Sequence, residues 1–417
     1  MKRPTWITIT LAVPLMMAGA LTAAFAHETT QRTPEAWQVE QRLLISDSDT
    51  GDIVVLDDGV VRERLSTPPS PISLARSDDG HLAFAIRGRN TDVDHVTMID
   101  TAYDESTGAA ARPYVARTWA TVSAGGVHDG HLPEVRGKFG LSMEATGALQ
   151  LLDPAAVSGL RSADAGTIRL GQPGHYTFVT VTAADGSELL HAGSTAGNTA
   201  VIDTASGQTI ASDGRCPGLH GGAASTTGAT VFFACSTGIL VAPADPTTGT
   251  AALIPYPTKD RDGSVYAGAT NAAGHDVLWA TNGAKTSVDR IDLNGDQVTI
   301  TAVPLNVGRS VRNELATAVD ADSGRLYVVT YQGYLQVRDA VTGMLLRERR
   351  VMPPMSIDDD ETTSKAINPD IAVASDRIYL SVPVTGTVLS VSLDGRRILR
   401  ATRVGGEPTR LVLLEHS

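Results

Sequence analysis

Positive charge is in short supply in this chain. It has 34 lysine and arginine residues against 46 aspartate and glutamate residues, and its net charge is −12 at pH 7 with histidine neutral. Such a chain repels phosphate backbones, which argues against nucleic acid as a partner.

Familiar catalytic signatures are also absent: there is no G-x-S-x-G nucleophile elbow and no H-E-x-x-H zinc motif, and the 4 tryptophans do not recur in a pattern that would hold a quinone cofactor. These absences argue against an enzyme of those classes.

An export signal is predicted at residues 1–26. Two basic residues, Lys2 and Arg3, precede an apolar run that ends in A-F-A at 24–26, a pattern typical of a cleaved secretory signal. The apolar run is almost long enough to span a bilayer, so retention as a membrane anchor is the alternative. No cysteine follows the run, which argues against a lipoprotein. We therefore expect an exported, periplasmic or extracytoplasmic protein with no membrane partner after cleavage and a net charge of about −14.

Only two cysteines are present, Cys216 and Cys235. Export would place them where disulfides persist, so we expect a bridge between them. The bridge would close a loop of about 20 residues and contribute about 3 kcal/mol, which reinforces a fold rather than creates one. A zinc site of mixed cysteine and histidine ligands would need reduced thiolates, which export disfavours.

A repeated phrase runs along the chain: an alternating apolar strand, an aspartate, a glycine turn and a further strand. Its eight copies lie at 52–59, 95–101, 148–154, 199–207, 239–249, 288–295, 335–343 and 387–395. Their spacing averages about 48 residues, which is typical of the four-stranded blades of a β-propeller. Another short strand precedes each copy, with glycine at the reversal, as in a β-hairpin.

Strands rich in small residues lie upstream of these hairpins, for example at 315–324. Small side chains suit the innermost strand, where neighbouring blades crowd around the central channel. The first copy lacks such a strand, and PTRLVLL at 408–414 can supply it. We therefore predict one all-β domain at 41–417, a propeller of eight four-stranded blades closed by the C-terminal strand, after a flexible leader at 27–40. Seven blades is the alternative, if the proline-interrupted copy at 239–249 is irregular.

Four of the ten histidines fall in the predicted loops that lead from one blade to the next. They belong to three consecutive blades: His128 and His131 in GGVHDGHLPEV, His175 in GQPGHYTFV, and His220 in GRCPGLHGG. Loops of this kind gather on one face of a propeller, around the mouth of the channel. Zinc takes three or four such ligands, and Asp129 or Glu134 would complete the coordination or orient a ring. The alternative is that these are unrelated loop histidines.

Other groups have simpler interpretations. His27 would become the amino-terminal residue after cleavage, where its imidazole and the free amine can hold a metal together. The acidic run at 358–361 suits a hard cation such as calcium or is simply solvated. The remaining histidines are expected to be surface or turn residues rather than ligands: His81, His95, His191, His275 and His416.

Several segments resemble the AztD family of periplasmic zinc metallochaperones. They are CPGLHGGA at 216–223 with FACSTGIL at 233–240, the His128/His131 loop, which looks like a reduced form of the family's histidine-rich loop, and PGHYTFV at 173–179. The resemblance implies a zinc carrier that hands its metal to the solute-binding protein of an ABC importer, with His128, His131, His175 and His220 as ligands. Two departures are visible: the loop holds fewer histidines than is usual, and the leader offers only His27 and Glu28.

A non-enzymatic zinc chaperone is the function that accounts for most of these residues. One alternative is an exported metal-dependent hydrolase or lactonase, in which the same histidines would hold a zinc ion that activates water. A second alternative is a metal-free interaction scaffold, because propellers serve widely as docking platforms and a fold does not dictate a function.

Overall fold

The computed structural model describes residues 36–67, 73–77, 79–87, 93–122, 133–153, 164–256, 265–270, 276–281, 285–294, 297–355 and 368–416. Within these ranges the regular structure is β-strand, apart from a single 3-10 turn at Pro383–Thr385. No helix among these residues has the length and apolar character needed to cross a lipid bilayer.

The first half of the described chain forms four sheets and a small extra one. A short strand precedes them: β1 (Trp37–Gln38). Blade 1 begins with β2 (Gln41–Asp47), β3 (Asp52–Asp57) and β4 (Val60–Ser66). Blade 2 contains β5 (Ser73–Arg76), β6 (Leu82–Arg87), β7 (Val93–Asp100), the inserted β8 (Tyr103–Asp104) and β9 (Ala109–Ala110), and β10 (Tyr114–Val122). Blade 3 contains β11 (Glu134–Val135), β12 (Lys138–Met143), β13 (Ala148–Leu152) and β14 (Asp164–Arg169). Blade 4 contains β15 (Tyr176–Thr182), β16 (Glu188–Ser194), β17 (Thr199–Asp203) and β18 (Gln208–Asp213).

The second half repeats the plan. Blade 5 contains β19 (Gly222–Ala224), β20 (Thr230–Cys235), β21 (Gly238–Pro243) and β22 (Ala252–Pro255). Blade 6 contains β23 (Val265–Thr270), β24 (Asp276–Thr281), β25 (Ser287–Asn294) and β26 (Gln297–Pro304). Blade 7 contains β27 (Glu314–Asp320), β28 (Arg325–Thr330), β29 (Tyr334–Asp339) and β30 (Leu345–Arg350). Blade 8 contains β31 (Ile371–Val373), β32 (Arg377–Val382), β33 (Thr387–Ser392) and β34 (Ile398–Arg403), and β35 (Pro408–Glu415) follows it.

The four strands of each blade are antiparallel and, from blade 2 to blade 8, are ordered as they occur along the chain. The first strands of successive blades contact each other from blade 4 onward, through blade 8 and β35, to blade 2. β35 is the missing inner strand of blade 1, where Leu43 pairs with Leu413 and Ile45 with Leu411. The prediction of eight four-stranded blades, closed by the C-terminal strand, is confirmed for the described residues.

In each blade the repeated phrase contains the third strand, and in several blades the described residues also include the turn that follows it. In blade 7, the Asp339 carboxylate accepts hydrogen bonds from the backbone N–H groups of Val341 and Thr342. The chain then reverses at Gly343, which has φ +74° and donates its N–H to the Asp339 carbonyl oxygen. An aspartate suits the first position because its side chain satisfies the turn N–H groups, and glycine suits the last because it tolerates positive φ.

The core lies between the blades, since each sheet buries apolar side chains against both of its neighbours. Phe84 of blade 2 packs on Phe139 of blade 3 with ring centroids 4.3 Å apart. Trp279 of blade 6 is fully buried and donates its indole N–H to the carbonyl oxygen of Ala340 in blade 7. Burial of this kind along every seam supplies most of the driving force for closing the ring.

The end of the segment assigned to the leader is attached to the propeller. Trp37–Gln38 pairs with Ala109–Ala110 in a small three-stranded sheet, and the Trp37 indole donates to the Asp57 carboxylate at 2.8 Å. Val39 is buried. Residues 37–39, which the sequence analysis assigned to the leader, therefore contact the propeller.

Candidate functional site

A disulfide fixes the loop that carries His220. Cys216 lies in the connection from blade 4 to blade 5 and Cys235 ends β20, and the two Cα atoms are 4.9 Å apart across the bridge. Both cysteines are fully buried, and the predicted pairing is confirmed. The loop is also joined to β20 by backbone hydrogen bonds. His220 donates its N–H to the Ala234 carbonyl, and Ala234 donates its N–H to the Gly221 carbonyl. His220 therefore projects from an anchored segment.

His175 and His220, from consecutive connections, come together at this end of the ring. Their ring centroids are 5.3 Å apart, with 37° between the ring planes. His175 precedes β15 and has a side chain that is 12% exposed, whereas His220 precedes β19 and is exposed. Two imidazoles at this separation can serve as ligands of one metal ion, provided that their nitrogens face a common point. His175 thus lies on the buried side of a candidate metal site, and His220 lies on its solvent-exposed side.

One turn of blade 4 holds both histidine-bearing loops in place. Thr195 follows β16 and donates its N–H to the His175 carbonyl at 3.0 Å, while its own carbonyl accepts the N–H of Gly218 at 3.0 Å. Gly197 of the same turn accepts the N–H of Cys216. Gly197 has φ +100°, and a Cβ there would lie 3.1 Å from Pro217 Cα, so a larger residue would push the loops apart.

A carboxylate orients the more buried imidazole. Glu144 lies in the turn between β12 and β13 of blade 3, and its Oε1 is 2.8 Å from Nδ1 of His175. An ionised carboxylate only accepts hydrogen bonds, so this contact assigns the proton of a neutral imidazole to Nδ1 and the lone pair to Nε2. Carboxylate–histidine pairs of this kind fix the ring orientation and raise ligand basicity at metal sites. The backbone supports the pair, because Gly174 donates its N–H to the Glu144 carbonyl at 2.9 Å.

A known protein resembles this chain over nearly its whole length. No family model matches the chain. The zinc chaperone AztD of Citrobacter koseri is 25% identical over 419 aligned positions, which cover 95% of this chain and 90% of the relative. The chain is similar to this zinc chaperone over nearly its whole length. The resemblance predicted from the sequence is therefore confirmed.

Solved structures share the architecture. The crystal structure of Citrobacter koseri AztD matches with a TM-score of 0.68 at 21% identity, covering 89% of this chain and 97% of that one. The apo form of Citrobacter koseri AztD matches with the same TM-score and coverage at 22% identity. Dihydro-heme d1 dehydrogenase NirN matches with a TM-score of 0.61 at 14% identity, covering 91% of this chain and 76% of that chain. At these identities the likeness shows the fold alone.

The other predicted ligands divide into two groups. His27, His128, Asp129 and His131 lie outside the described residues. Glu134 is the first residue of β11, is partly buried, and accepts the Thr180 hydroxyl at its carbonyl oxygen. Within the part of the chain that is described, no three histidine, cysteine, aspartate or glutamate side chains converge as a metal site. Of the predicted ligands, the described residues therefore include His175, His220 and Glu134, and Glu144 lies beside His175.

Three further histidines have structural contacts. His191 is buried, and its Nε2 lies 2.8 Å from the Ala244 carbonyl oxygen. His81 and His416 contact the carbonyl oxygens of Tyr103 and Glu105 through Nδ1. The side chain of His95, the whole of His275 and the acidic run at 358–361 lie outside the described residues.

Glu144 is the residue of the candidate site that sequence reasoning missed. A signal for it exists, because hairpin turns between second and third strands lie at the same end of a propeller as the connections between blades. Glu144 is the acidic residue in the turn of the blade immediately before His175. A search of those turns for carboxylates beside the histidine loops would have found it.

Proposed function

We propose that this protein is an exported, non-enzymatic zinc chaperone that binds its cargo on the loops between blades 3 and 5. His175 and His220 supply two ligands, and His128 and His131 of the preceding connection supply the others. The observation that carries the proposal is the 5.3 Å separation of the two described rings, which come from different blades yet are tied to one turn. The homology to a zinc chaperone supports the same cargo.

The proposed site suits transport rather than permanent storage. Neutral imidazoles bind zinc without closing a rigid thiolate cage, and the only thiols of this chain are consumed in the disulfide. Asp129 or Glu134 would complete the coordination where the histidines leave a position open. The exposed face of His220 lets an incoming ligand approach the metal, so another protein can displace the histidines one at a time.

We infer that the recipient is the solute-binding protein of an ABC importer for zinc, in the periplasm or an equivalent extracytoplasmic space. The buried disulfide supports an oxidising compartment, because such bridges persist outside the cytosol. In this proposal the protein catalyses no reaction on an organic substrate.

Equilibrium dialysis tests the site. The wild type should bind zinc near stoichiometrically, and a His175→Ala/His220→Ala variant should lose that binding. A His81→Ala/His416→Ala variant is the matched control, because these two rings contact backbone carbonyls elsewhere. A His128→Ala/His131→Ala variant asks whether the preceding loop contributes. Unchanged zinc stoichiometry after loss of His175 and His220 would remove the proposed site.

Transfer needs a separate measurement. Zinc-loaded protein is mixed either with the apo solute-binding protein or with a small chelator of equal affinity, and metal movement is followed over time. Direct handover predicts faster movement to the protein than to the chelator. Equal rates would indicate release into solution and would contradict the chaperone role while leaving zinc binding intact. Native mass spectrometry of the same samples reports the metal and the oligomeric state.

A further inference from the structure

The outermost strands of three consecutive blades are rich in arginine, although the chain as a whole is acidic. β4, β30 and β34, of blades 1, 7 and 8, carry seven: Arg62, Arg64, Arg347, Arg349, Arg350, Arg400 and Arg403. The outermost strands of the other five blades together carry two, Arg117 and Arg169. We call the surface formed by β4, β30 and β34 the arginine face. All seven of its arginines are exposed.

The same face also exposes aliphatic side chains. Ten large hydrophobic residues are exposed among the described residues, and six of them lie on these three strands or in the turn before β30: Val60, Val61, Met344, Leu346, Ile398 and Leu399. Each is between 36% and 62% exposed. Exposed aliphatic groups concentrated in one place and interleaved with cations are typical of a docking surface rather than of general surface composition.

The positive charge of the face is not cancelled locally. The two acidic residues on these strands, Glu63 and Glu348, form ion pairs with Arg112 and Arg312, which lie outside the three strands. Arg349 and Arg400 donate across the blade seams to the neutral carbonyl oxygens of Arg396 and Asp58, which joins the three strands into one surface without neutralising it. Among the described residues, the one acidic partner of the seven arginines is Asp57, 4.0 Å from Arg62.

We propose that the arginine face docks on an anionic phospholipid surface. A guanidinium matches a phosphate through two parallel N–H donors, and the neighbouring aliphatic side chains fit the boundary between headgroups and acyl chains. Salt at about 0.1 M screens charges beyond about 10 Å, so a membrane responds to the nearest face rather than to the negative charge of the whole chain. A fluid bilayer can adapt its lipids to a surface that extends over the outermost strands of three neighbouring blades, as this one does. In this proposal the exported protein makes a peripheral membrane contact, which differs from the expectation of no membrane partner after signal cleavage.

This docking is separate from the zinc site, which lies on the loops of blades 3 to 5. A carrier held beside the membrane would search for a membrane-bound importer in two dimensions. Vesicle binding should nevertheless be the same for zinc-free and zinc-loaded protein. Failure of the zinc proposal and failure of this one are therefore distinguishable.

Vesicle sedimentation tests the proposal, with phosphatidylglycerol mixed into phosphatidylcholine against phosphatidylcholine alone. The wild type should sediment only with the anionic vesicles, and added salt should release it.

The partition coefficient of an Arg347→Gln/Arg350→Gln/Arg403→Gln variant onto these vesicles should fall about a hundredfold, at about fivefold per arginine. These arginines make no described inter-blade hydrogen bond, so the variant should fold, which circular dichroism checks. Arg136→Gln/Arg169→Gln/Arg309→Gln removes equal charge from other exposed positions and is the matched control.

Three outcomes would overturn the proposal: no preference for anionic vesicles, equal losses in the two triple variants, or arginine-dependent binding to polyglutamate without binding to vesicles. The last result would assign the face to an acidic protein instead. A Leu346→Ser/Leu399→Ser variant should weaken vesicle binding while keeping its salt dependence, because it removes the inserted aliphatic groups and leaves the charge.

Discussion

Glu144 Oε1 lies 2.8 Å from His175 Nδ1, although the carboxylate belongs to a hairpin turn of blade 3 and the imidazole to the connection into blade 4. The contact decides which nitrogen of His175 is available for a metal. It also places a negative charge behind the ring, where it stabilises the positive charge that an imidazole gains when it binds zinc.

Loss of this carboxylate should weaken zinc binding without abolishing it. Glu144→Ala removes the group that holds the ring and its tautomer, and we expect the zinc Kd to rise by about 10-fold to 100-fold. Glu144→Gln keeps an oxygen that accepts the Nδ1 hydrogen and loses only the charge, so its Kd should rise less. Glu63→Ala removes a comparably half-buried carboxylate in blade 1 and should leave the Kd unchanged. A Glu144→Ala protein with wild-type affinity would assign the contact a purely structural role.

The disulfide should contribute to both stability and zinc affinity. A Cys216→Ala/Cys235→Ala variant loses the constraint on a loop of about 20 residues, so its free energy of unfolding should fall by about 3 kcal/mol. Because the bridge also anchors the His220 loop, the zinc Kd should rise in conditions where the variant is still folded. Urea unfolding and dialysis measure the two effects separately. An unchanged Kd would show that the backbone bonds to Ala234 hold the loop without the bridge.

The sequence was sufficient to predict the ring. Every blade has an aspartate at or near the end of its third strand, so the same physical demand leaves the same signal eight times, as the turn of Asp339 and Gly343 illustrates. Inner strands rich in small residues add to this signal in blades 5 to 8. Ring closure was also predictable, because the sequence of blade 1 lacks an inner strand and one further strand, β35, follows the last blade. The attachment of Trp37 to Asp57 was not foreseen, since a two-residue strand carries no periodicity.

The candidate site was predictable only in part. Loop position along a known repeat is enough to bring His175 and His220 to one end of the ring, and the structure places them together. Side-chain contacts between neighbouring blades could not be predicted from the sequence. The pairing of Glu144 with His175 depends on how far neighbouring blades rotate against each other, and no spacing in the sequence records that angle. The turn at Thr195 that supports both loops acts through backbone atoms, which residue identity does not reveal.

Removal of one partner of the buried ion pair in blade 1 should lower the free energy of unfolding. Arg42 donates two hydrogen bonds to the Asp57 carboxylate, at 2.7 and 2.8 Å, and both side chains are almost completely buried. Arg42→Ala would leave the buried Asp57 carboxylate with the Trp37 indole and the more distant, exposed Arg62 as its partners, and we expect a loss of about 3 kcal/mol in urea unfolding. The double variant Arg42→Met/Asp57→Leu removes both charges at similar volume and should recover most of that loss. A double variant as unstable as Arg42→Ala would show that the further Arg42 bonds to backbone carbonyls matter more than the pair.

Acid should destabilise the fold through His191. Burial lowers the pKa of this imidazole, and the hydrogen bond to the Ala244 carbonyl opposes the shift only in part. The native state therefore holds His191 neutral, while the unfolded chain takes up a proton near the ordinary value of about 6.5. The stabilising contribution is complete above about pH 6.5 and is lost as the pH falls below it, at up to about 1.4 kcal/mol per pH unit.

His191→Gln keeps a donor for Ala244 but cannot titrate, so its free energy of unfolding should decline less steeply than that of the wild type between about pH 6.5 and 5.5. Comparison of the two proteins at about pH 8, where both are neutral at this position, isolates any packing difference. Parallel slopes in the acid range would mean that another group governs acid unfolding.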